Sequence, residues 1–107
     1  MSVALYYKEF KLGILTYENN KFIYNSSIEE SLALKKYVGL IDYNLTNSTN
    51  LKSDKLFRFF KINFIDIATK REDILEKFET KPKNDYEFLI NLCKLSLDKF
   101  NFWIAEN

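Results

Sequence analysis

The first part of the chain consists of short runs of aromatic and β-branched residues separated by turn-forming residues. The runs are Leu5–Tyr7, Phe10–Tyr17 and Phe22–Tyr24, with Lys8-Glu9 and Glu18-Asn19-Asn20 between them. Residues of this kind favour strands, and asparagine tolerates the positive φ that tight hairpin turns need. The pattern therefore predicts a three-stranded antiparallel meander, in which Gly13 marks a bulge or a close backbone approach.

The middle of the chain carries weaker signals. Ser27–Glu30 matches the Ser-x-x-Glu capping box and predicts a short helix over Ile28–Lys36. Val38–Ile41 is apolar and predicts a fourth strand. Asp42–Ser53 is polar and has no convincing period, so we expect a long loop there.

The last part of the chain carries helix signals and then a strand signal. Helix starts are predicted at Ser53-Asp54, at Thr69–Glu72 and at Asn84–Glu87, each ahead of apolar residues at helical spacing. In the first of these helices Leu56, Phe57 and Phe60 share a face, and Phe59 lies on another. Phe100–Ala105 returns to strand-like composition. We expect one α+β domain over residues 1–107: a small antiparallel sheet or partial barrel, made by the meander and a C-terminal strand, packed with three to four helices.

The composition argues against catalysis. The chain has no histidine, which removes the usual general base and transition-metal ligand, and a single cysteine. Cys93 lies on the apolar stripe of the last helix, so we expect a small buried hydrophobe. The paired acids Glu29-Glu30 and Glu72-Asp73 stand in predicted first helical turns, where they complement the helix dipole. We therefore expect no enzymatic activity, no metal and no cofactor.

The N-terminus carries no targeting signal, because charged residues follow the first few apolar ones at Lys8-Glu9. No uncharged stretch is long enough to span a bilayer. These two observations predict a cytoplasmic protein.

The segment Leu56–Ile67 is apolar on more than one face. A helix of that kind is usually buried, but a chain of 107 residues has little interior, so the segment either threads the core or meets another protein. The same region contains a basic cluster interleaved with aromatic residues, a combination that suits single-stranded nucleic acid. The net charge of +1 favours a solvated helix face instead. The cluster consists of Lys52, Lys55, Arg58 and Lys61, with Phe57, Phe59 and Phe60 between them.

The order of several motifs resembles the N-terminal subdomain of HipA-family kinases. The resembling segments are Leu5–Tyr17, Asn20–Tyr24, Val38–Leu45, Lys55–Phe60 and Asp85–Leu92, followed by the tail after Asp98. They span nearly the whole chain, and each is weakly specific alone. The chain departs from the family at Asn63–Ile67, where the family has Leu-Leu-Pro-Glu-Gly.

A free-standing subdomain of this type is similar to the HipS-like antitoxins of bacterial HipBST systems. The resemblance implies an antitoxin that docks on a HipT-like Ser/Thr kinase toxin and restrains it without chemistry of its own. A HipB-like helix-turn-helix repressor is a further partner that it implies for the same complex, with no direct contact to nucleic acid or membrane. The loop and the aromatic segment together predict partner contacts at Leu51, Lys52, Phe57, Arg58 and Phe59.

Two other functions stay open. One is a nucleic-acid-binding accessory protein that uses the basic cluster Lys52, Lys55, Arg58 and Lys61. The other is an inhibitor of an unrelated host or phage enzyme on the same α+β scaffold. The sequence also leaves open whether an inhibitor would cover a kinase active site or hold the kinase open.

Overall fold

The computed structural model describes residues 1–27, 50–95 and 102–107. In these ranges the chain forms a five-stranded antiparallel sheet of order β4-β3-β2-β1-β5 with helices packed against it, which confirms the predicted α+β class. The strands are β1 (Val3–Tyr7), β2 (Phe10–Glu18), β3 (Lys21–Ser26), β4 (Leu51–Ser53) and β5 (Phe102–Glu106). The helical elements are α1 (Arg58–Phe60), a π-helical stretch (Lys61–Ile65), α2 (Asp66–Thr69), α3 (Glu72–Leu75) and α4 (Asp85–Cys93). The predicted helix Ile28–Lys36 and strand Val38–Ile41 lie outside the described residues.

The N-terminal meander forms as predicted, with β1, β2 and β3 joined by two tight turns. Lys8 has φ 53° in the first turn, and Asn19 and Asn20 have φ 51° and 62° in the second. Two successive positive φ values define a type I′ turn, which matches the twist of the strands it joins. Asparagine therefore occupies both turn positions that require a positive φ.

Gly13 marks both a bulge and a close approach. The pairing of β1 with β2 shifts between Leu5, which faces Gly13, and Tyr6, which faces Lys11, so Leu12 is the extra residue of a bulge. A Cβ atom at Gly13 would lie 2.5 Å from the carbonyl oxygen of Asn25 and would also overlap the Tyr24 hydroxyl. The glycine allows the third strand and its tyrosine to pack directly on the second.

The predicted loop Asp42–Ser53 is wrong at its end, because Leu51–Ser53 forms β4. Residues 51–53 pair with Phe22–Tyr24 of β3. Asn50 precedes the strand with φ 55°, and its N–H donates to Asn25 Oδ1 at 2.6 Å. A strand of three residues, Leu51-Lys52-Ser53, is too short to show a period of two, so the sequence pattern did not reveal it.

Two of the three predicted helix starts are wrong. The Ser53 hydroxyl accepts from the Lys55 N–H at 3.2 Å in a local turn, and the helix begins only at Arg58. Thr69 ends a helix and its hydroxyl donates to the Asp66 carbonyl, so α3 starts after Arg71.

The third helix start is confirmed. The Asn84 side chain accepts from the Glu87 N–H at 2.9 Å, as an N-cap does. The Glu87 carboxylate accepts from the backbone N–H of Lys83 rather than from that of Asn84, so the capping box closes one residue early.

The core lies between one face of the sheet and the helices. A row of cross-strand neighbours runs across the sheet through Val3, Leu15, Tyr24 and Leu51, and the first three are fully buried. The predicted C-terminal strand is confirmed as β5, which pairs with β1. The ends of the chain therefore meet, and the N–H of Asn107 donates to the carbonyl of Ser2 at 2.9 Å.

Candidate protein-binding surface

Elements α1, the π-helical stretch and α2 follow one another without a break and form what we call the central helix, residues 58–69. The helix crosses the core face of the sheet. The ring of Phe60 meets Tyr24 of β3 at 5.8 Å, and the ring of Phe59 meets Phe102 of β5 edge-on at 4.9 Å. Burial on two sides explains why the segment is apolar on more than one face.

The π-helical stretch changes which side chains face the core. The N–H of Asp66 donates to the carbonyl of Lys61, five residues back, so this turn holds one residue more than an α-helical turn. In a regular α-helix, Ile67 would lie below Phe60. Here Ile65 and Ala68 are buried instead, and Ile67 is 54% exposed.

Asn63 supports this irregular turn. Its side-chain amide donates to the carbonyl of Phe59 at 2.9 Å. Where a helix changes from i→i−4 to i→i−5 bonding, a carbonyl loses its regular donor, and a side chain can supply one.

The solvent side of the central helix carries apolar side chains beside cationic ones. Ile62 is 45% exposed, Ile67 is 54% exposed, and Arg58 is exposed one helical turn before Ile62. Half-buried Phe57 precedes the first turn. We call Phe57, Arg58, Ile62 and Ile67 the helix surface. A large apolar side chain that is half exposed next to a cation is the composition of an interface anchor.

The structure brings together part of the predicted contact set. Leu51 is the cross-strand neighbour of Tyr24, and the ring of Phe57 lies edge-on to Tyr24 at 6.4 Å. Both side chains are half-buried at this edge of the sheet. Arg58 follows and is exposed.

The remaining two predicted contacts lie elsewhere. Lys52 neighbours Leu51 in β4, so its side chain leaves the opposite face of the sheet, beside Ile23. Phe59 was expected off the apolar face of its helix, but it is only 7% exposed and belongs to the core. The reason is that β5 returns to cover this side of the helix, which helical spacing alone does not reveal.

Sequence reasoning missed Ile62 and Ile67 as surface residues. Ile67 is seven residues after Phe60, which fits a buried α-helical stripe, and only the π-helical turn moves it into solvent. Ile62 is two residues after Phe60 and lies on the opposite side of the helix, where an apolar residue gives no sign of burial. The one available signal was that the segment had more apolar residues than a single helix face holds.

Burial changes the pKa values of half-buried Cys93 and of Tyr86. Burial raises the pKa of the Cys93 thiol to about 12, with a smaller contribution from Glu106. Burial also raises the pKa of Tyr86 to about 12, aided by Cys93 and Glu106, and its hydroxyl donates to the Met1 carbonyl at 2.6 Å. In the described ranges no cluster of cysteine and carboxylate side chains has the arrangement of a metal site.

A cleft of about 530 Å³ lies between the second half of the central helix, the end of α4 and strand β5. Most of its lining side chains are apolar, but polar groups make up nearly half of its exposed surface, and Arg71 and Lys94 are its cations. Arg71 also forms an ion pair with Asp73 at 2.7 Å, which holds the pKa of that carboxyl below its usual value. The cleft is lined by Asn63, Phe64, Ile67, Ala68, Arg71, Ile74, Leu92, Cys93, Lys94, Leu95, Phe102, Trp103, Ile104 and Ala105.

Comparison of the chain with protein-family models, curated proteins and solved structures finds no match. Across residues 1–27, 50–95 and 102–107, no helix has both the length and the apolar character that crossing a membrane requires. The fold and its exposed residues together define a small α+β domain with an apolar and cationic helix surface.

Proposed function

We propose that this chain is a binding domain that docks on a protein partner through the helix surface. The observation that carries the proposal is the exposure of Ile62 and Ile67 on a helix whose other faces are buried. Removing two isoleucine side chains from water favours association by a few kcal/mol at about 25 cal/mol per Å² of apolar area. Arg58 adds a residue type that is enriched in interface anchors.

The partner we propose is a HipT-like Ser/Thr kinase, for which the chain acts as a cytoplasmic antitoxin. The support is that the order of motifs resembles the N-terminal subdomain of HipA-family kinases. One of these motifs, Lys55–Phe60, includes the first turn of the central helix in this chain. A HipB-like repressor completes the proposed complex. In this proposal the chain restrains the kinase by binding alone.

The test is a calorimetric titration of the intact chain into a HipT-like kinase from the same genome. Arg58→Glu and Ile62→Asp change exposed side chains, so we expect both variants to fold and to bind about tenfold or more weakly than the wild type. Phe57→Ala is expected to weaken binding and to leave the fold intact.

The matched control is Lys77→Glu, which makes the same charge change at an exposed lysine outside the helix surface. Unchanged affinity is expected for this variant. Equal loss in Lys77→Glu and Arg58→Glu would mean that net charge, and not the helix surface, determines binding. Unfolding of Phe57→Ala would assign that residue to the core and remove it from the surface.

A second candidate function is nucleic-acid binding, and one observation favours it. Lys55, Arg58 and Lys61 follow one another at intervals of three residues and are all exposed. Lys52, the fourth member of the basic cluster, is exposed on β4. A salt titration with single-stranded DNA separates the two functions, since phosphate contacts give a steep loss of affinity with salt. No binding at low salt would eliminate this candidate.

The third candidate is inhibition of an unrelated host or phage enzyme. The same helix surface would serve it, because exposed isoleucine and arginine do not specify the class of partner. Binding of the chain to a HipT-like kinase distinguishes the antitoxin from this alternative.

A further inference from the structure

The positive charge of the chain is concentrated around the helix surface. Residues 55–70 contain four basic side chains and one acidic side chain, so this segment carries a net charge of +3. The whole chain carries +1, so all its other residues together carry −2. The basic side chains are Lys55, Arg58, Lys61 and Lys70, and the acidic one is Asp66.

The four cations of this segment are exposed, and within residues 1–27, 50–95 and 102–107 none of them forms an ion pair. The nearby ion pair of Arg71 with Asp73 lies outside the segment. Asp66 is half-buried and offsets one of the four charges. The helix surface therefore presents an excess of cations to whatever binds it.

The exposed side chains form a row along the central helix. The row consists of Arg58, Ile62, Asp66 and Lys70, which follow one another at intervals of four residues, about one helical turn. Ile67 is exposed beside the row, and cations stand at both of its ends. A row of side chains at i and i+4 is a ridge that packs between the ridges of a second helix.

We propose that the helix surface binds an acidic amphipathic helix of the protein partner. An apolar stripe of that helix covers Ile62 and Ile67, and carboxylates beside the stripe lie near Lys61 and Lys70. The backbone groups within a helix are already hydrogen-bonded to one another, so side-chain packing is the mode of recognition left to this surface. The inference rests on the proposed function, because it names the part of the partner that the helix surface contacts.

A second copy of this chain is a poorer occupant. Two copies that paired through the helix surface would form an isologous interface, in which each brings the same segment to the other. Residues 55–70 of both copies carry +3, so their cations would be brought together. Like charges oppose such an interface, whereas an acidic helix neutralises them.

Titration of the intact chain with a designed helical peptide tests the proposal. The probe is an acetylated and amidated peptide of about 18 residues, with leucine every three and four residues, glutamate beside the leucines and glutamine elsewhere. Amide chemical shifts of the isotope-labelled chain show where it binds, and we expect the largest changes within residues 57–70. Absence of binding at about 1 mM peptide, or changes confined to other parts of the chain, would overturn the proposal.

Two control peptides separate the apolar contribution from the charged one. Alanine in place of leucine keeps the helix and the glutamates, and lysine in place of glutamate keeps the helix and the leucines. We expect each control to bind about fivefold or more weakly than the probe. Equal binding of the alanine peptide would mean that charge alone is recognised, and equal binding of the lysine peptide that apolar side chains alone are recognised. Either result would contradict the proposal.

A charge reversal at two exposed lysines gives an independent check. We expect Lys61→Glu/Lys70→Glu to keep the fold, to bind the glutamate peptide about tenfold more weakly than the wild type, and to bind the lysine peptide more tightly than the wild type does. The matched control Lys81→Glu/Lys83→Glu makes the same change in net charge at exposed lysines outside residues 55–70 and is expected to leave both affinities unchanged. Equal effects of the two double variants would contradict a local contact.

Two other anionic partners are outcomes of the same series. Single-stranded DNA and vesicles that contain phosphatidylserine are titrated in place of the peptide. Phosphate groups gain nothing from half-exposed Ile62 and Ile67, which an apolar stripe covers. Binding of DNA or vesicles that Lys61→Glu/Lys70→Glu abolishes, without binding of the glutamate peptide, would assign the surface to nucleic acid or lipid and contradict the proposal.

The outcome is distinguishable from failure of the proposed function. Kinase binding that depends on Arg58 and Ile62 but is unchanged in Lys61→Glu/Lys70→Glu would leave the proposed function and remove this inference. Binding of the glutamate peptide with the expected pattern, by a chain that does not bind the kinase, would keep the acidic helix as the ligand and remove the kinase as the partner.

Discussion

Gly13 shows how a single residue determines the distance at which two strands of the sheet pack. Its hydrogen side chain lets β3 lie where a Cβ atom would be 2.5 Å from the Asn25 carbonyl oxygen. Backbone oxygen cannot move away as a flexible side chain can, so a methyl group here forces strands β2 and β3 apart. The sequence indicated a special role for this glycine, because glycine within a strand is otherwise unfavourable.

We expect Gly13→Ala to lower the free energy of unfolding by about 1–3 kcal/mol, the usual cost of overpacking. Thermal unfolding followed by circular dichroism measures it. The double variant Gly13→Ala/Tyr24→Phe should recover only part of the loss, because it removes the overlap with the hydroxyl and keeps those with the Asn25 carbonyl and with the ring carbon Cζ of residue 24. A melting temperature equal to that of the wild type would show that β3 does not pack on Gly13.

The half-buried Cys93 thiol and the buried Tyr86 phenol make the free energy of unfolding depend on pH in the alkaline range. Burial raises the pKa of Cys93 from 9.0 to about 12 and that of Tyr86 from 10.0 to about 12. Both groups are neutral when protonated, so the unfolded chain loses its protons at lower pH than the folded chain. Their contribution to stability is present below about pH 9 and is lost as the pH rises towards 12.

Urea unfolding at a series of pH values tests this dependence. We expect the free energy of unfolding of the wild type to fall from about pH 9 upwards. Cys93→Ser removes the thiol, and its decline should begin about one pH unit higher, where the unfolded tyrosine ionises. A wild type with constant stability to pH 11 would contradict the burial of these groups.

At the scale of the element, the central helix shows which of its exposed residues the sequence pattern predicts and which it does not. Helical periodicity predicts that a helix follows Lys55, and this is correct, but the same periodicity predicts Phe59 outside the apolar face. The register of the buried side chains depends on the π-helical turn and on contacts with β5, and neither is encoded in the spacing of apolar residues within the segment. Local sequence therefore predicts that the helix exists, and tertiary packing determines which residues it exposes.

Deleting one residue from the π-helical stretch tests this interpretation. Without Ile62, residues Phe60, Ile65 and Ala68 are separated by four and then three positions, the spacing of a regular α-helix. We expect the deletion variant to fold with a melting temperature within about 8 °C of the wild type, equivalent to about 1 kcal/mol.

The control deletion removes Ile67 instead. It places Ile65 and Ala68 two positions apart, on different sides of a helix, and is expected to destabilise the domain by several kcal/mol through the loss of buried side chains. Thermal melts of both variants provide the comparison. Equal destabilisation would show that the π-helical turn is not a separable insertion.

At the scale of the molecule, a long-range pairing adds the last strand to the sheet. The meander was predictable from sequence because its turns and strands are local, and the C-terminal strand was predictable from its composition. That β5 pairs with β1, and so covers Phe59, depends on a pairing of residues about one hundred positions apart. The predicted contacts divide through pairings of this kind: β5 covers Phe59, and the pairing of β4 with β3 places Lys52 on the other face of the sheet. Arg58 is exposed and Phe57 is half-buried.

The whole molecule also favours a protein partner over a polyanion. The net charge is +1, and Ile62 and Ile67 are about half exposed on the helix surface, beside Arg58. Affinity for nucleic acid grows with the number of phosphates neutralised, whereas a protein interface gains from apolar anchors. The balance of charge and exposed apolar area agrees with docking on a protein.

Growth rescue tests the proposed antitoxin function most directly. A HipT-like kinase from the same genome is expressed alone, with the wild-type chain, and with the double variant Arg58→Glu/Ile62→Asp at equal protein levels. We expect the wild-type chain to restore growth, the double variant to fail, and Lys77→Glu to restore growth like the wild type. Growth arrest that the wild-type chain does not relieve, or rescue by the double variant equal to that by the wild type, would contradict the proposed role of the helix surface in neutralising the kinase.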